Sequence, residues 1–185
     1  MNGTHIFIIS GPSGAGEDSV IKGLQKKRDF DRVITTTTRA VRPEDQPGRT
    51  YYFVSKEEFE QGIKENRFFE YALADRGNYY GGTYSEIERV KKSPLPVLWK
   101  IDYQGVLTAK KLLPEAKSIF IFAPPEVLRQ RLLKRGESEE MIRKRLEYAK
   151  GWYENEGIFD YKVENKEGKL EETIEKVLAI IQKNL

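Results

Sequence analysis

The chain has 185 residues, which is enough for one domain with a well-buried core and too few for two of ordinary size. Its composition, 38% hydrophobic and 33% charged, excludes a disordered chain, and the net charge of +3 gives no indication of nucleic-acid binding. The absence of cysteine excludes disulfides and fits a reducing cytoplasm. The sequence shows no apolar run long enough to span a membrane and no recognisable signal peptide, so we expect neither a membrane nor a secretory destination.

The first predicted strand, Ile6–Ser10, is an unbroken apolar run, typical of a parallel strand that is buried on both faces. A glycine-rich loop occupies residues 11–19, and apolar residues then recur at helical spacing. Strand, glycine loop and helix in this order predict a loop that binds phosphate with its backbone and the following helix N-terminus.

The charge of this loop is opposite to what phosphate binding requires. The pattern G-x-x-x-x-G-K-[ST] places a lysine on the β- and γ-phosphates and a hydroxyl on Mg²⁺. Gly11 and Gly16 have the required spacing, but Glu17 stands at the lysine position and Asp18 at the hydroxyl position. Two carboxylates repel a triphosphate, so either the loop has lost its usual function or a cation reaches it from elsewhere.

The segment from about residue 35 to residue 83 differs in composition from the rest of the chain. It is rich in proline, glycine and tyrosine, and it contains short strand-like pieces such as residues 51–54. These features predict a small, loop-rich insertion with antiparallel strands placed over the main sheet. Insertions of this kind often hold the substrate.

The remaining chain alternates between predicted strands and helices. Strand-like runs lie at residues 96–99, 118–122 and 161–163, and helical patterns lie at residues 103–113, 126–133, 139–149 and 170–181. This alternation predicts an α/β fold with a mostly parallel sheet flanked by helices.

Several short segments are more specific than the glycine loop. They are Thr-Thr-Arg-Ala-Val-Arg-Pro at 37–43, followed by Gly48, Tyr51 and Phe53; Gly-Asn-Tyr-Tyr-Gly at 77–81; Ile-Asp-Tyr-Gln-Gly at 101–105; Ala-Pro-Pro at 123–125; Lys-Arg-Gly at 134–136; and Lys-Arg-Leu at 144–146. Over essentially the whole chain these segments resemble guanylate kinases. The resemblance implies transfer of the γ-phosphoryl group of ATP to GMP, giving GDP and ADP, with Mg²⁺ as the cofactor of ATP.

The resemblance also implies a division of one domain into three parts. The core, a P-loop NTPase-type sheet, comprises about residues 1–34, 84–124 and 156–185. A GMP-binding insertion occupies about residues 35–83, and a helical lid occupies about residues 125–155.

The residues proposed for GMP suit a dianionic phosphate and a flat base. Arg39 and Arg42 present two guanidinium forks for phosphate oxygens, and Tyr51 and Tyr80 add phenolic hydrogen bonds. Guanine has N1–H and N2–H₂ donors on one edge, which carboxylates accept. The residues that match the guanine site of the family are Glu70, Asp102, Thr35 and Gly82, the last at a position where relatives carry a guanine-contacting hydroxyl. Thr83 is also assigned to GMP.

The donor nucleotide is assigned to the glycine loop and the lid. By resemblance, the ATP-binding residues are Gly11, Ser13, Gly14, Ala15, Gly16, Glu17, Asp18, Ser19, Arg131 and Asn165. Arg135 and Arg145 are predicted to be catalytic, because phosphoryl transfer depends on positioning and positive charge. The competing interpretation is a surface helix face on which these arginines pair with glutamates such as Glu137.

A second unusual charge accompanies the acidic loop. Guanylate kinases usually read D-I-D-x-Q-G after the central strand, and Lys100 replaces the first aspartate here. Since this position lies beside the glycine loop in phosphate-loop folds, the chain has exchanged the signs of two facing charges. We expect Lys100 to reach the β- and γ-phosphates, and Glu17, Asp18 or Ser19 to help hold Mg²⁺. The alternative is a structural Glu17–Lys100 ion pair without catalysis.

Two functions therefore remain open from the sequence. One is an ATP:GMP phosphotransferase; the other is a catalytically inactive domain that binds GMP or a protein partner in the same cleft. Glu70 together with Asp102 disfavours a kinase for a different acceptor. We expect ATP and GMP as the bound molecules, no nucleic acid, no membrane and a cytoplasmic location.

Overall fold

A computed structural model of the chain describes residues 5–43, 45–49, 51–74 and 77–185. The strands are β1 (Ile6–Ser10), β2 (Asp31–Arg32), β3 (Thr35–Thr37), β4 (Tyr51–Phe53), β5 (Phe68–Ala74), β6 (Asn78–Thr83), β7 (Val97–Lys100), β8 (Lys117–Phe122) and β9 (Tyr161–Glu164). The helices are α1 (Glu17–Lys27), α2 (Lys56–Lys64), α3 (Tyr84–Lys91), α4 (Tyr103–Leu112), α5 (Pro125–Lys134), α6 (Glu139–Glu154) and α7 (Leu170–Asn184), with a 3-10 turn at Glu156–Ile158.

The larger sheet is parallel throughout and has the strand order β2-β7-β1-β8-β9. Its central strand β1 is fully buried, and successive residues face opposite sides. Ile6 and Ile8 pack with Trp99 in one core cluster, whereas Phe7 and Ile9 pack in the other. The predicted α/β fold with a parallel sheet flanked by helices is thus confirmed.

The smaller sheet has the order β4-β3-β6-β5 and is formed by strands that lie between Thr35 and Thr83. The prediction of antiparallel strands holds for β6 with β3 and with β5, but β3 and β4 are parallel. The long connection between these two strands brings the chain back to the same end of the sheet, so that they run in the same direction. Helix α2 packs on this sheet through Phe59, whose ring stacks on Phe68 and Tyr79.

Helix α6 continues to Glu154, five residues beyond its predicted end at Ala149. Gly151 would normally weaken a helix at this point. Here the ring of Tyr103 packs so closely on Gly151 that any side chain would collide with it. Trp152 then anchors the extra turn, since it is 4% exposed and its indole N–H donates to Ser10 Oγ at 2.9 Å.

None of the helices in the described part of the chain is both long and apolar enough to cross a lipid bilayer.

Candidate active site

The glycine loop connects β1 to α1 at the carboxyl edge of the larger sheet. Gly14 and Gly16 adopt φ angles of 92° and 97°, a region that other residues rarely enter. A side chain on Gly16 would also collide with the amide of Asn165. Both glycines are therefore required for the turn that starts α1.

The backbone carbonyls of this loop are held by two side chains that the sequence assigned to ATP. Asn165 is 5% exposed and donates from Nδ2 to the Ala15 carbonyl at 2.7 Å. The guanidinium of Arg131 donates to the Gly14 carbonyl at 3.1 Å and to the Asn165 carbonyl at 2.8 Å. Arg131 and Asn165 therefore position the loop, in addition to lining the cavity beside it with Ser19 and Arg135.

The exchanged charges lie together at the start of α1. Lys100 is the last residue of β7 and is opposite Ile9 of β1, one strand away from the loop. Its ammonium lies 2.8 Å from each carboxylate oxygen of Asp18 and 3.7 Å from Glu17 Oε1. The closer partner of Lys100 is therefore Asp18, not Glu17.

The two carboxylates differ in how far their side chains are buried and in the direction of their pKa shifts. The Glu17 side chain is 13% exposed, and burial raises its pKa although the charge of Lys100 opposes the rise. The Asp18 side chain is 66% exposed; burial tends to raise its pKa, but the charge and hydrogen bond of Lys100 outweigh this and lower it. Burial alone would lower the pKa of Lys100, yet the charges of Glu17 and Asp18 raise it, so that the ammonium remains protonated.

Of the two lid arginines predicted to be catalytic, Arg145 contacts the glycine loop. It donates from Nη1 to Ser13 Oγ at 2.7 Å, and its Nε lies 2.6 Å from Glu137 Oε2. Arg135 is the exposed residue at the end of α5, and its positive charge tends to lower the pKa of Glu17. Both cations are therefore on the loop side of the cleft.

The predicted phosphate site of GMP is built around Arg39. Its guanidinium lies 5.3 Å from the ring centre of Tyr51, and the Tyr51 and Tyr80 rings are 6.0 Å apart. Arg39 Nη2 also donates to both carboxylate oxygens of Asp45, at 3.0 and 2.9 Å. Asp45 accepts the backbone N–H of Arg42 as well, at 2.7 Å, and so connects the Arg39 side chain to the Arg42 backbone.

The predicted base site contains a buried carboxyl group. Glu70 is 7% exposed and accepts the backbone N–H of Gly82 at 2.8 Å. Burial raises the pKa of Glu70 to about 8; the Gly82 hydrogen bond opposes the rise and the charge of Asp102 adds to it. A side chain at Gly82 would press on Glu70 Oε1 at 3.2 Å and on the Trp99 ring at 3.3 Å, so Trp99 closes the space beside the glycine.

The two threonines assigned to GMP also contribute to the local fold. Thr35 is buried in β3, where it pairs with Tyr51. Thr83 caps α3, because its hydroxyl accepts the Glu86 backbone N–H at 3.3 Å. Because it accepts this backbone N–H, the Thr83 hydroxyl is oriented toward the first turn of α3.

Asp102 has both carboxylate oxygens engaged. Oδ1 accepts the backbone N–H of Gly105 at 2.8 Å and so caps α4, and Oδ2 accepts the hydroxyl of Tyr148 at 2.9 Å. Sequence reasoning missed Tyr148 and Asp45. Asp45 had a recognisable signal, a carboxylate three residues after Arg42, whereas a tyrosine on a charged helix face has none.

The residues proposed for Mg²⁺ are oxygen donors at the loop. Within the ranges that the structure describes, no three acidic, histidine or cysteine side chains form a metal-binding group. Mg²⁺ is commonly held by one or two carboxylates together with substrate phosphates and water. Asp18, largely exposed, and the adjacent exposed Ser19 fit this mode better than the less exposed Glu17.

Comparison with known proteins shows that the chain is similar to guanylate kinases over nearly its whole length. The family model described as "Guanylate kinase" matches residues 3–184. A guanylate kinase of Haemophilus influenzae is 39% identical over 188 residues, which cover 98% of this chain and 89% of the relative; one of Hahella chejuensis is 42% identical over 163 residues, covering 86% and 78%. The crystal structure of guanylate kinase from Anaplasma phagocytophilum superposes with a TM-score of 0.75 at 28% identity, covering 96% of this chain and 84% of that one. On these similarities and on the fold, the chain belongs to the guanylate kinase family.

Proposed function

We propose that this chain transfers the γ-phosphoryl group of ATP to GMP, giving ADP and GDP. The observation that carries the proposal is the position of Lys100, whose ammonium lies against Asp18 at the start of α1, beside the phosphate-binding loop. Burial raises the pKa of Tyr51 while the charge of Lys100 opposes the rise, so the relocated cation acts electrostatically on this acceptor-side tyrosine as well as on the loop carboxylates.

In this proposal the protein supplies position and charge. An oxygen of the GMP phosphate attacks the γ-phosphorus of ATP; the new P–O bond forms as the bond to the β,γ-bridging oxygen breaks, and ADP leaves. Arg39, Arg42 and the tyrosines Tyr51 and Tyr80 orient the attacking phosphate. Arg145, which already contacts the loop through Ser13, neutralises charge on the transferred group.

Lys100 takes the role of the lysine that the loop lacks. The Asp18 carboxylate that holds it is 66% exposed, and ion pairs of this exposure contribute about 1 kcal/mol or less. Incoming phosphates can therefore compete with Asp18 for the ammonium. Once released, Asp18, with Ser19, would serve as a ligand of Mg²⁺, which when bound shields the charge of the phosphates.

The proposal is tested by GMP-dependent ADP formation with ATP and Mg²⁺. We expect turnover by the native chain and a loss of at least about 100-fold in kcat for Lys100→Met, since one transition-state cation contributes on this scale. Lys91→Met is the matched control, because Lys91 pairs with Glu88 on the surface of α3, away from the glycine loop. Native-like turnover of Lys100→Met would exclude the relocated role of Lys100.

A reciprocal pair of substitutions sharpens this test. Glu17→Lys combined with Lys100→Asp restores the charges usual in the family at these two positions, and we expect it to recover most of the activity that Lys100→Asp alone loses. Recovery would show that the two positions act together. No recovery, with the fold intact by circular dichroism, would contradict it.

The second candidate, a catalytically inactive domain, is favoured by one observation: Lys100 is already paired with two carboxylates. Such a domain would bind GMP without forming ADP. The proposal also includes a cytoplasmic location, which fractionation of cells that express the tagged chain would check.

A further inference from the structure

Tyr148 lies on α6 and contacts a residue outside that helix. Its hydroxyl donates to Asp102 Oδ2 at 2.9 Å, although Asp102 belongs to the segment between β7 and α4. This side chain is part of an aromatic group with Tyr103 and Trp152, whose ring centres lie 5.8 and 5.5 Å from that of Tyr148. The ring that carries this hydroxyl is therefore packed against two other aromatic rings.

The contact fixes the plane of the Asp102 carboxylate. Oδ1 is held by the Gly105 backbone N–H and Oδ2 by Tyr148, so rotation of the group would break one of the two hydrogen bonds. Each carboxylate oxygen has two acceptor sites. Asp102 thus keeps one acceptor site on each oxygen for the N–H donors of a base, and these sites are oriented before the base arrives.

The same face of α6 also contacts the donor side. Arg145 and Tyr148 are three residues apart and therefore neighbours on one helix face. Arg145 donates to Ser13 of the glycine loop at 2.7 Å. One turn after Tyr148, Trp152 is fixed to Ser10 at the end of β1. One face of α6 thus touches the loop, the base-reading carboxylate and the central strand.

We propose that Tyr148 is a positioning residue that orients Asp102 for guanine and couples GMP binding to the placement of α6 by the donor nucleotide. A donor that draws Arg145 onto its phosphates holds α6 in place and so maintains the Tyr148–Asp102 hydrogen bond. By linkage, each nucleotide then tightens the binding of the other by the same factor. The inference rests on the proposed function, because it requires GMP at Asp102.

The test is calorimetric binding of GMP with and without saturating ADP, which requires no turnover. For Tyr148→Phe we expect GMP binding to weaken about tenfold, as for loss of a hydrogen bond to a charged group. We also expect ADP to tighten GMP binding in the native chain and to have almost no effect on it in Tyr148→Phe. A merely structural role of Tyr148 would not remove this coupling.

Tyr103→Phe is the matched control, since it removes a hydroxyl from the same aromatic group but one whose partner is Gln104. We expect it to keep native affinity and native coupling. If Tyr148→Phe bound GMP as the native chain does, or if it lost affinity but kept the coupling, the inference would be wrong. Failure of the native chain to bind GMP at all would overturn the proposed function as well.

Discussion

Glu70 is a carboxyl group whose protonation is set by its surroundings. Its ordinary pKa of 4.5 is raised to about 8, first by burial. Between these two values the folded chain binds more protons than the unfolded chain, so the contribution of Glu70 lowers the free energy of unfolding as the pH rises through this window. Near neutral pH most Glu70 side chains are protonated before GMP binds.

This protonation predicts a pH dependence of GMP binding. An ionised Glu70 accepts the N–H donors of guanine, so GMP must displace a proton when it binds below pH 8. We expect KM for GMP to fall as the pH rises from 6 to about 8 and then to level off, while KM for ATP changes little. Steady-state kinetics across this pH range measure KM for GMP, and in the Glu70→Gln variant we expect this KM not to depend on pH. A KM for GMP that is constant in the native chain would refute the assignment.

At the scale of elements, the glycine loop depends on its neighbours α5 and β9. Arg131 of α5 bonds to the carbonyls of Gly14 and Asn165, and its Nε pairs with Glu167 at 3.1 Å. A lysine cannot reproduce a planar fork that reaches several acceptors. The loop conformation therefore depends on an arginine outside the loop motif.

We expect Arg131→Lys to destabilise the fold by about 2 kcal/mol and to raise KM for ATP several-fold, because hydrogen bonds from charged groups are lost at the loop. Arg129→Lys is the control on the same helix, since Arg129 pairs with the exposed Glu139. Chemical denaturation and initial-rate kinetics measure the two effects. Equal behaviour of both variants would show that the loop does not need Arg131.

Sequence patterns predict a strand or helix well where its residues are continuously buried. They predict it poorly where contacts with residues far away in the chain decide its length or its pairing. The run Ile6–Ser10 predicts a buried strand, and the structure has a buried strand there. The last turn of α6 depends instead on Tyr103 packing against Gly151, a contact between residues 48 positions apart that no local pattern encodes. The parallel pairing of β3 with β4 likewise depends on the path of the connection between them.

The site was predictable to a similar extent. Motif positions identify Arg39, Glu70 and Asp102 as candidates, but they do not reveal that Asp45 holds Arg39 or that Tyr148 holds Asp102. These second contacts are made by residues common on any surface, aspartate and tyrosine. Tyr148 and Asp102 are 46 positions apart and meet only in the fold, whereas Asp45 lies six residues after Arg39 and left a local signal in the sequence.

For the whole molecule, the proposed function predicts selective stabilisation by nucleotides. A ligand at 100 times its Kd adds about 2.7 kcal/mol, which for a chain of this size raises Tm by about 5–10 °C. We expect GMP and ATP each to raise Tm, and AMP to raise it less than GMP because adenine lacks the N1–H and N2–H₂ donors. Differential scanning fluorimetry measures this, with a phosphopeptide as the comparison. A larger shift with the phosphopeptide than with GMP would favour the binding-domain alternative.

Lys100 and Asp102 are separated by a single residue at the end of β7. The group proposed to handle the donor and the group proposed to select the acceptor therefore share one short stretch of backbone. We therefore expect substitutions at Asp102 that change the acceptor base to alter the catalytic rate as well, through the backbone that Asp102 shares with Lys100.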